Sequence, residues 1–593
     1  MLRARMCLGV WFLVAPAVAG AQLQREDSLR LLSAARAAQA RFERIRRQFS
    51  PSVDDTHGET CQFEVGRMCY WEDDGNEKAP PESHWITEAR LSLLRTLSRL
   101  GAQSPNDRWI AGEHVRYMVQ SGDDSGAVTA ARACTPPGWY CQVLQGYALH
   151  ESERYGEAVA AFDSALAQMP DSERCRWNDI SVLLDDDARA AYDTIPCGQR
   201  DSVERHFWEL AQPSFAVAGN DRRTEHYSRV LLADLSQDAA NAYGLTWGQD
   251  MRELLIRYGE PAWYTAPWPE LYSGPPTPIG HDRQPSFHFA ADMDDGRPHW
   301  DAYSHRARER YAPPYLDTLT QLDVQFAMMK RGDSAIVVAA YADSASGDAV
   351  LGVAGGVSDS TPPDSRQARI RRARAAWKPV MVAMEDYDAK RRLDARARAW
   401  LAPPTHVAGA PELSTLLLFD PDSSGAGVET LDDALAHAMT SSVLGGTRRL
   451  GLYWEVYGSA GDSLPAQETR SDSADSSGAR TVATVSDSAD SSGAKTVATI
   501  SDSSAAARDS SAVLVTVART DGGVMRWLGK ALHITRRDSP LAVLWHDARP
   551  SSGVAPHSVV LDLAQLPAGD YRVTVSVGDD AHRTEASREI TLR

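Results

Sequence analysis

The spacing of apolar residues changes once along this chain, and that change limits the folds it can adopt. In residues 23 to about 200, apolar side chains recur at intervals of three and four, which predicts amphipathic helices. From about residue 280 they fall in short runs separated by turn residues, often alternating with polar ones, which predicts antiparallel strands. A chain of 593 residues also exceeds what one hydrophobic core supports. We therefore predict a multidomain α+β protein.

The chain begins with the features of an export signal. Arg3 and Arg5 precede an apolar run from Cys7 to Val18, and Ala19-Gly20-Ala21 supplies the small residues of a cleavage site. We predict a signal peptide over residues 1–21 and an exported protein, periplasmic or extracellular in a bacterium. The apolar run is too short to span a bilayer, and no later segment reaches about 18 consecutive apolar residues. No transmembrane segment is expected.

The cysteines agree with export, because disulfides form in oxidising compartments. Six cysteines remain after the signal, and six allow 15 pairings that sequence cannot separate. Sequential pairing is our prediction, since two of the pairs would close short loops. Zinc binding is the alternative, which the absence of any C-x-x-C pair disfavours. In chain order the cysteines are Cys61, Cys69, Cys134, Cys141, Cys175 and Cys197.

One helical stretch has the spacing of a tetratricopeptide (TPR) repeat. Small residues would let two antiparallel helices approach, an aromatic ring would fill the gap, and a proline would end the second helix. We predict a TPR-like helical region over residues 22–200, which favours a surface that binds polypeptides; a helical packing domain without a ligand is the alternative. The repeat residues are Gly146, Tyr155, Ala158, Phe162, Ala165 and Pro170, with a fainter copy at Trp109, Gly112, Ala127 and Ala131.

The stretch LTWGQDMRELLIRYGEP contains the signals that begin and end a helix. We predict that Asp250 caps a helix beginning at Met251, with Glu253 completing a capping box. Gly259 fits the left-handed position after the helix, and Pro261 blocks its continuation. Each of these residues then has a structural role. Leu254, Leu255 and Tyr258 supply an apolar stripe, and Arg257 lies where the helix dipole favours a cation.

This stretch also resembles the GWxTD-domain proteins, an exported bacterial family without an established activity. The resemblance rests on Trp247-Gly248-Gln249-Asp250 followed by I-R-Y-G-E-P, and the chain departs from the family at Thr246 and Gln249. It implies an α/β module, which we place at residues 201–312. The residues that match the family, or that carry the predicted helix signals, are Asn220, Glu225, Arg229, Trp247, Asp250, Arg257, Tyr258, Gly259 and Pro261.

The remaining sequence predicts β structure. A hairpin is expected around Arg331-Gly332-Asp333, within a β-rich domain at residues 313–445. Residues 446–593 are predicted to form an immunoglobulin-like β-sandwich, in which Tyr571 resembles a tyrosine corner that bonds back to the backbone. Two copies of a fifteen-residue Ser/Asp-rich repeat predict a disordered insertion at about 462–511.

Catalytic candidates are few. Glu225, His226 and Asp250 form a polar group in which acid–base chemistry is conceivable. Adjacent residues on a helix point about 100° apart, however, so Glu225 and His226 do not easily share one substrate atom. Ion pairs that tie helices together explain the same residues with fewer assumptions. The run from His281 to His305 lacks metal-ligand spacing, so no metal and no cofactor are expected.

The net charge of −18 argues against nucleic acid as a partner. Our leading hypothesis is therefore an exported, non-catalytic protein that mediates interaction or assembly at the cell envelope, with a protein as its partner. The alternative is a hydrolase that acts on an envelope polymer through the central module. A third hypothesis is carbohydrate binding by the sandwich domains. The partner's identity and the oligomeric state are left open.

Overall fold

A computed structural model describes most of the folded chain. The described residues are 15–51, 63–72, 81–184, 186–212, 214–265, 279–282, 315–316, 318–342, 348–354, 370–424, 428–445, 448–458, 482–483, 497–499, 510–520, 541–548, 553–578 and 582–593. They fall into two compact units, residues 15–282 and residues 315–593. Helices dominate the first unit and strands the second, so the predicted α+β class is confirmed.

The first unit is built mainly from helices. α1 begins inside the predicted signal peptide, and the longest later helix is α2. The helices are α1 Ala15–Phe49, α2 His84–Gln103, α3 Arg108–Gln120, α4 Asp124–Arg132, α5 Tyr140–Glu151, α6 Tyr155–Gln168, α7 Asp171–Asn178, α8 Asp186–Asp193, α9 Asp201–Ala211, α10 Asp221–Gln237 and α11 Gln249–Tyr258.

Successive helices of this unit pack as pairs, α1 with α2, α3 with α4, and α5 with α6. Gly146 lets α5 approach α6, because a Cβ atom there would lie 2.8 Å from the ring of Phe162. Gly112 acts similarly, since its Cβ would lie 2.5 Å from a methyl group of Leu235. The second helix of the α5–α6 pair ends two residues before Pro170, as predicted. The small residues at these positions therefore set the helix spacing.

A small sheet and two cysteine pairs complete the first unit. The strand order is β1-β2-β4-β3, with β2 and β4 parallel and the other pairs antiparallel. Cys134–Cys141 and Cys175–Cys197 lie at disulfide distance, with Cα separations of 5.6 and 5.9 Å, as sequential pairing predicts. The third predicted pair involves Cys61, which lies outside the described residues. The strands are β1 Phe63–Val65, β2 Met68–Glu72, β3 Trp263–Thr265 and β4 Ile279–Asp282.

In its described residues, the second unit consists of strands and two short helices. The strands are β5 Thr318–Gln321, β6 Val324–Arg331, β7 Ser334–Tyr341, β8 Asp348–Val353, β9 Ile370–Ala376, β10 Val380–Asp388, β11 Leu393–Leu401, β12 Glu412–Leu413, β13 Leu417–Phe419, β14 Val443–Leu444, β15 Arg449–Tyr457, β16 Val482–Ala483, β17 Val497–Thr499, β18 Ser510–Arg519, β19 Leu541–Ala548, β20 Val554–Asp562, β21 Gly569–Gly578 and β22 Arg583–Leu592. The helices are α12 Pro421–Ser424 and α13 Leu431–Ala436.

These strands form four sheets that pack around shared cores, and in one of these cores Met329 of β6 packs with Phe419 of β13 and Tyr453 of β15. Sheet β6-β7-β9 shares a core with sheet β5-β11-β10-β8, and Met328, Leu351 and Val382 lie in that core. The sheet of β12, β13, β15, β16 and β20 shares a second core with β14-β22-β21-β18-β19-β17. β12 and β13 precede residue 446, where the last predicted domain begins, and they pair with β15, which follows it. One sheet therefore contains strands from both predicted domains. Most of the predicted insertion at 462–511 lies outside the described residues.

The hairpin predicted around Arg331-Gly332-Asp333 is confirmed. β6 and β7 pair antiparallel, and the last pair before the turn joins Arg331 to Ser334. Gly332 has a φ of 61°, the left-handed region in which glycine is favoured. Two residues therefore close this hairpin, which is the connection that its sequence favours.

The hydrogen bond expected of Tyr571 is also present, because its hydroxyl donates to the carbonyl of Pro567 at 2.9 Å. The ring is buried in the second core. Replacing Tyr571 by phenylalanine should lower the free energy of unfolding of the second unit by about 1 kcal/mol, the usual net value of one such bond. Thermal unfolding of the full chain, followed by calorimetry, measures this; an unchanged transition would mean that the bond does not stabilise the sandwich.

Candidate functional site

The polar residues that match the GWxTD family begin at the N-terminus of α10. Asn220 precedes the helix, and its side-chain oxygen accepts a hydrogen bond from the backbone N–H of Arg223 at 3.1 Å. Its side-chain nitrogen donates to the carbonyl of Trp208 at 2.7 Å, near the end of α9. Asn220 therefore caps one helix and fastens another to it.

Arg229 joins α10 to the C-terminus of α11. Its Nε lies 2.5 Å from Oε1 of Glu225, one turn earlier on the same helix. Its Nη1 donates to the carbonyls of Ile256 at 3.2 Å and Arg257 at 2.9 Å. The last carbonyls of a helix have no partner within the helix, so a buried guanidinium is well suited to them. Arg229 serves as the C-terminal cap of α11.

Gly259 leaves room for the guanidinium of Arg229 at the end of α11. A Cβ atom at this position would lie 3.0 Å from a nitrogen of Arg229. Its φ of 84° is positive, as predicted, but its ψ of −175° places it in an extended region that glycine alone readily adopts, outside the left-handed helical region. The backbone N–H of Gly259 donates to the carbonyl of Leu255 at 3.0 Å. Both the backbone conformation and the close approach of Arg229 therefore favour glycine at position 259.

A hydroxyl, an imidazole and a carboxylate lie in a row beside this cap. Nδ1 of His150 is 2.9 Å from the hydroxyl of Thr224, and Nε2 of His150 contacts Glu225. The Thr224 hydroxyl also donates to the carbonyl of Asp221 at 3.1 Å, so it accepts from the imidazole. An imidazole that donates through both nitrogens is a cation and takes no proton from the hydroxyl. The row is therefore unsuited to nucleophilic catalysis.

The pKa values support this protonation state. Burial alone would lower the pKa of His150, but the charge and hydrogen bond of Glu225, together with the charges of Glu151 and Asp221, raise the pKa above its usual value. Burial alone would raise the pKa of Glu225, but Arg229 and His150 hold it well below its usual range. Thr224 is fully buried. These groups form a buried ion-pair network between α5 and α10.

His226 lies apart from this network. Its side chain is fully buried, with the ring of Trp208 at 5.1 Å and that of Tyr227 at 5.7 Å. Burial lowers its pKa to about 3, so the imidazole is neutral at ordinary pH. Glu225 and His226 have different partners, as the angle between adjacent helical residues predicts. His226 packs among aromatic rings and is closed to a substrate.

The prediction that Asp250 caps α11 is wrong. The helix begins at Gln249, and its N-cap is Gly248, which has no side chain to accept a capping hydrogen bond. Asp250 lies in the first turn, where its carboxylate accepts two hydrogen bonds from the guanidinium of Arg67, at 2.6 and 2.8 Å, one from the backbone N–H of Arg67 at 3.4 Å, and one from the N–H of Met251. No capping box forms, because Glu253 pairs with Arg257 at 3.2 Å.

The contact with Arg67 fixes the β1–β2 turn against α11. Arg67 follows Gly66, whose φ is 56° and whose Cβ would lie 2.5 Å from the Cβ of Asp250. The hydrogen bonds from Arg67 lower the pKa of Asp250 to about 2. Asp250 is thus a carboxylate that binds the turn, and sequence gave no signal for a partner 183 residues away. Trp247 packs on the apolar residues of the same region.

Sequence reasoning missed a second buried network, which joins α1, α3 and the end of α11. Arg116 pairs with Glu260 at 2.7 Å, and Gln120 donates to the same carboxylate oxygen at 2.7 Å. Tyr117 donates to Glu43 at 2.6 Å. The signals were the charged residues three apart on one helix, Glu43 with Arg46 and Glu113 with Arg116, which pair within their own helices.

Glu113 is the least satisfied member of this network. Its side chain is fully buried, one oxygen lies 3.4 Å from Arg116, and the other has no hydrogen-bond partner among the described residues. Burial raises the pKa of Glu113 to about 7, with Glu260 and Glu43 adding repulsion. Burial also acts on Glu260, but Arg116 holds its pKa below the usual value. The network contains three carboxyl groups and two arginines, and the charges of Glu260 and Glu43 favour the protonated form of Glu113.

Among the described residues, no group of three or more His, Cys, Asp or Glu side chains is arranged to hold a metal ion. His281 is the described member of the histidine run. It is buried, stacks on Trp263 with ring centres 4.0 Å apart, and hydrogen bonds to Thr265 at 2.7 Å. Its place is therefore structural, between β3 and β4.

Helix α10 also occupies one face of the helical array. It packs against α3, α5 and α6, and 13 of its 17 residues are buried. Leu235 contacts the position of Gly112 on α3, and the rings of Phe162 and Tyr227 lie 5.2 Å apart. The face of the array formed by α3 and α5 is filled from within the chain.

No protein-family model matches this chain, and no curated protein matches it either. In the described part of the chain, no helix combines the length and the apolar character needed to cross a membrane.

Proposed function

We propose that this chain is an exported, non-catalytic protein that binds a protein partner at the cell envelope. The observation that carries the proposal is how the acid–base candidates are used. Glu225 is bound by Arg229 and His150, Asp250 is bound by Arg67, and His226 is buried among aromatic rings. Groups held in this way stabilise the fold, and none of these three is placed to act as a general base on a substrate.

We also propose that residues 201–312 are a GWxTD-like module. The support is that the residues carrying the resemblance make contacts with one another. Arg229 binds Glu225 and the carbonyls of the I-R-Y stretch, and the following glycine makes room for it. A set of residues that depends on mutual contact is expected to recur together, and this explains the motif without an activity.

The two flanking assignments remain parts of the proposal. A TPR-like array is supported by the paired helices and by Gly146 against Phe162. An immunoglobulin-like sandwich is supported by the hydrogen bond of Tyr571 and by two sheets that share a core. Both folds are commonly used for binding, and neither specifies a partner.

The hydrolase hypothesis has less support, because its candidate residues do not share one set of partners. Carbohydrate binding by the second unit would require a row of exposed aromatic rings. In the described strands of that unit, no Phe, Tyr or Trp side chain is exposed. The exposed tryptophan of the described chain is Trp85, in the first unit.

Affinity capture tests the proposal. The full chain carrying a C-terminal tag should enrich a specific envelope protein from cross-linked envelope extracts, at least about tenfold over a tagged unrelated exported protein. Asp250→Asn should retain this enrichment, because the residue acts only within the fold. Release of soluble fragments from purified envelope polymer, abolished by Glu225→Gln, would contradict the proposal and favour the hydrolase.

A further inference from the structure

A cavity of about 290 Å³ lies between α2, α3, α4 and α5. Its walls are formed largely by small residues, among them Gly101 of α2, Ala111 of α3 and Ala130 of α4. Leu97 and Leu144 make the deeper wall apolar. Small side chains at these positions leave space that larger ones would fill.

The histidine and the acidic residue that line this cavity are His114 and Asp107, the N-cap of α3. Burial lowers the pKa of His114, so the imidazole is neutral. Asp107 is already engaged, since its carboxylate accepts from the N–H of Ile110 at 3.0 Å. In the described part of the chain His114 makes no hydrogen bond. The cavity lining is therefore largely apolar, and its neutral polar groups are His114 and the hydroxyls of Ser98, Ser104 and Thr135.

The exposed face of α2 leads into the cavity. Trp85 and Leu91 are 53% and 45% exposed, which is unusual for large apolar side chains on the surface of a folded unit. Arg95 and Arg99 follow on the same exposed side of the helix, and neither forms an ion pair in the described part of the chain. Ser98, between them, lines the cavity. Leu91, Arg95 and Arg99, the α2 stripe, thus lie on one exposed side of the helix together with Glu88, and they lead to Ser98 at the cavity, whereas Trp85 stacks on Phe49 of α1.

The volume and the charges define the ligand. A cavity of about 150 Å³ already admits benzene, so this one has room for an aromatic side chain. It lies at the lower limit for a separate small molecule. The free arginines beside it favour carboxylates, and they stand out on a chain whose net charge is −18. That net charge also disfavours a second copy of the same chain.

We infer that the cavity and the α2 stripe bind an acidic polypeptide segment that inserts one aromatic side chain. This inference rests on the proposed function, since it gives the protein partner a docking surface. The face formed by α3 and α5 is filled by α10, whereas the cavity lies on the side of the array that carries α2 and α4.

Labelled peptides test the inference on the full chain. The first peptide is rich in Asp and Glu and carries one Phe, the second replaces that Phe by Ala, and the third replaces the acidic residues by Lys. Fluorescence anisotropy should show the first peptide binding at least about tenfold more tightly than either of the others. Its affinity should fall as salt screens the arginines. An oligothymidylate should not displace it.

Two variants at one position separate binding from folding. Gly101 is helical, and the nearest atom to a Cβ built there is a methyl carbon of Ile110 at 3.6 Å. Gly101→Leu should fill the cavity and reduce binding of the first peptide at least about tenfold, while Gly101→Ala should leave binding unchanged. Both substitutions raise helix propensity, so the variants should fold. The double substitution Arg95→Glu, Arg99→Glu should weaken binding of the acidic peptide to a similar extent.

The inference would be overturned if the three peptides bound equally, if none of them bound, or if the oligothymidylate displaced the first peptide. Unchanged binding of the first peptide by Gly101→Leu would also overturn it. Capture of the envelope partner distinguishes failure of this inference from failure of the proposed function. If the partner is still captured by Gly101→Leu as strongly as by Gly101→Ala, the chain binds a protein through a different surface. If no partner is captured by either variant or by the unmodified chain, the proposed function itself fails.

Discussion

Replacing Arg229 by methionine should lower the free energy of unfolding of the first unit by about 3–5 kcal/mol, the cost of breaking a buried ion pair. Methionine keeps the apolar stem but removes the bond to Glu225 and those to the carbonyls of Ile256 and Arg257. Glu225 would then lose its arginine partner one turn away on α10 and keep its contact with His150 on α5. Urea unfolding of the full chain measures the loss, with hydrogen exchange of α10 peptides reporting on this unit.

Arg257→Met is the matched control. Arg257 also pairs with a glutamate one turn earlier, Glu253, but both side chains are about one-third exposed or more. Exposed pairs contribute little, so we expect a change below about 1 kcal/mol. A loss for Arg229→Met as small as that of the control would show that the cap does not stabilise the fold.

Glu113→Gln should remove much of the pH dependence of the first unit. The pKa of Glu113 is near 7 in the folded chain and 4.5 as a free side chain. Its raised pKa means that the contribution of Glu113 to stability is greatest below about pH 4.5 and is lost as pH rises towards about 7, because the unfolded chain releases the proton first. The variant should match the unmodified chain at pH 4.5 and exceed its stability by about 3 kcal/mol at pH 8.

Glu88→Gln on α2 provides the comparison, because Glu88 is exposed on its helix. The free energy of unfolding of the Glu88→Gln variant should equal that of the unmodified chain at every pH. The difference between Glu113→Gln and the unmodified chain isolates Glu113 from other titrating groups such as Glu151, whose pKa burial also raises to about 7. A difference that is independent of pH would show that Glu113 is ionised throughout, or protonated throughout, in the folded protein.

Features that depend on near neighbours in the sequence could be predicted. The change from helical to strand spacing identified the two kinds of structure, and turn residues located the hairpin at Gly332. The hydrogen bond of Tyr571 was predicted from six consecutive residues. Helix spacing at Gly146 and Phe162 was predicted from the repeat pattern. In each case the residues concerned lie close together in the chain, where periodicity and turn preferences carry the information.

Partners distant in sequence could not be predicted. Asp250 was assigned to the backbone of its own helix, the usual role of an aspartate at such a position, but Arg67 on a hairpin binds it instead. Arg116 and Glu260 are 144 residues apart, and nothing in one sequence links them. The filling of the α3–α5 face by α10 is a contact of the same kind. Such contacts follow from the packing of elements, which spacing within each element leaves undetermined.

Glu225 and Arg229 act on each other within the fold, and a double-mutant cycle tests this coupling most directly. Glu225→Gln, Arg229→Met and the double variant are compared by urea unfolding of the full chain. We predict a coupling energy of at least about 1.5 kcal/mol, as expected for a buried charged pair. A coupling energy near zero, with each single loss adding independently, would contradict the account and reopen a catalytic role for Glu225.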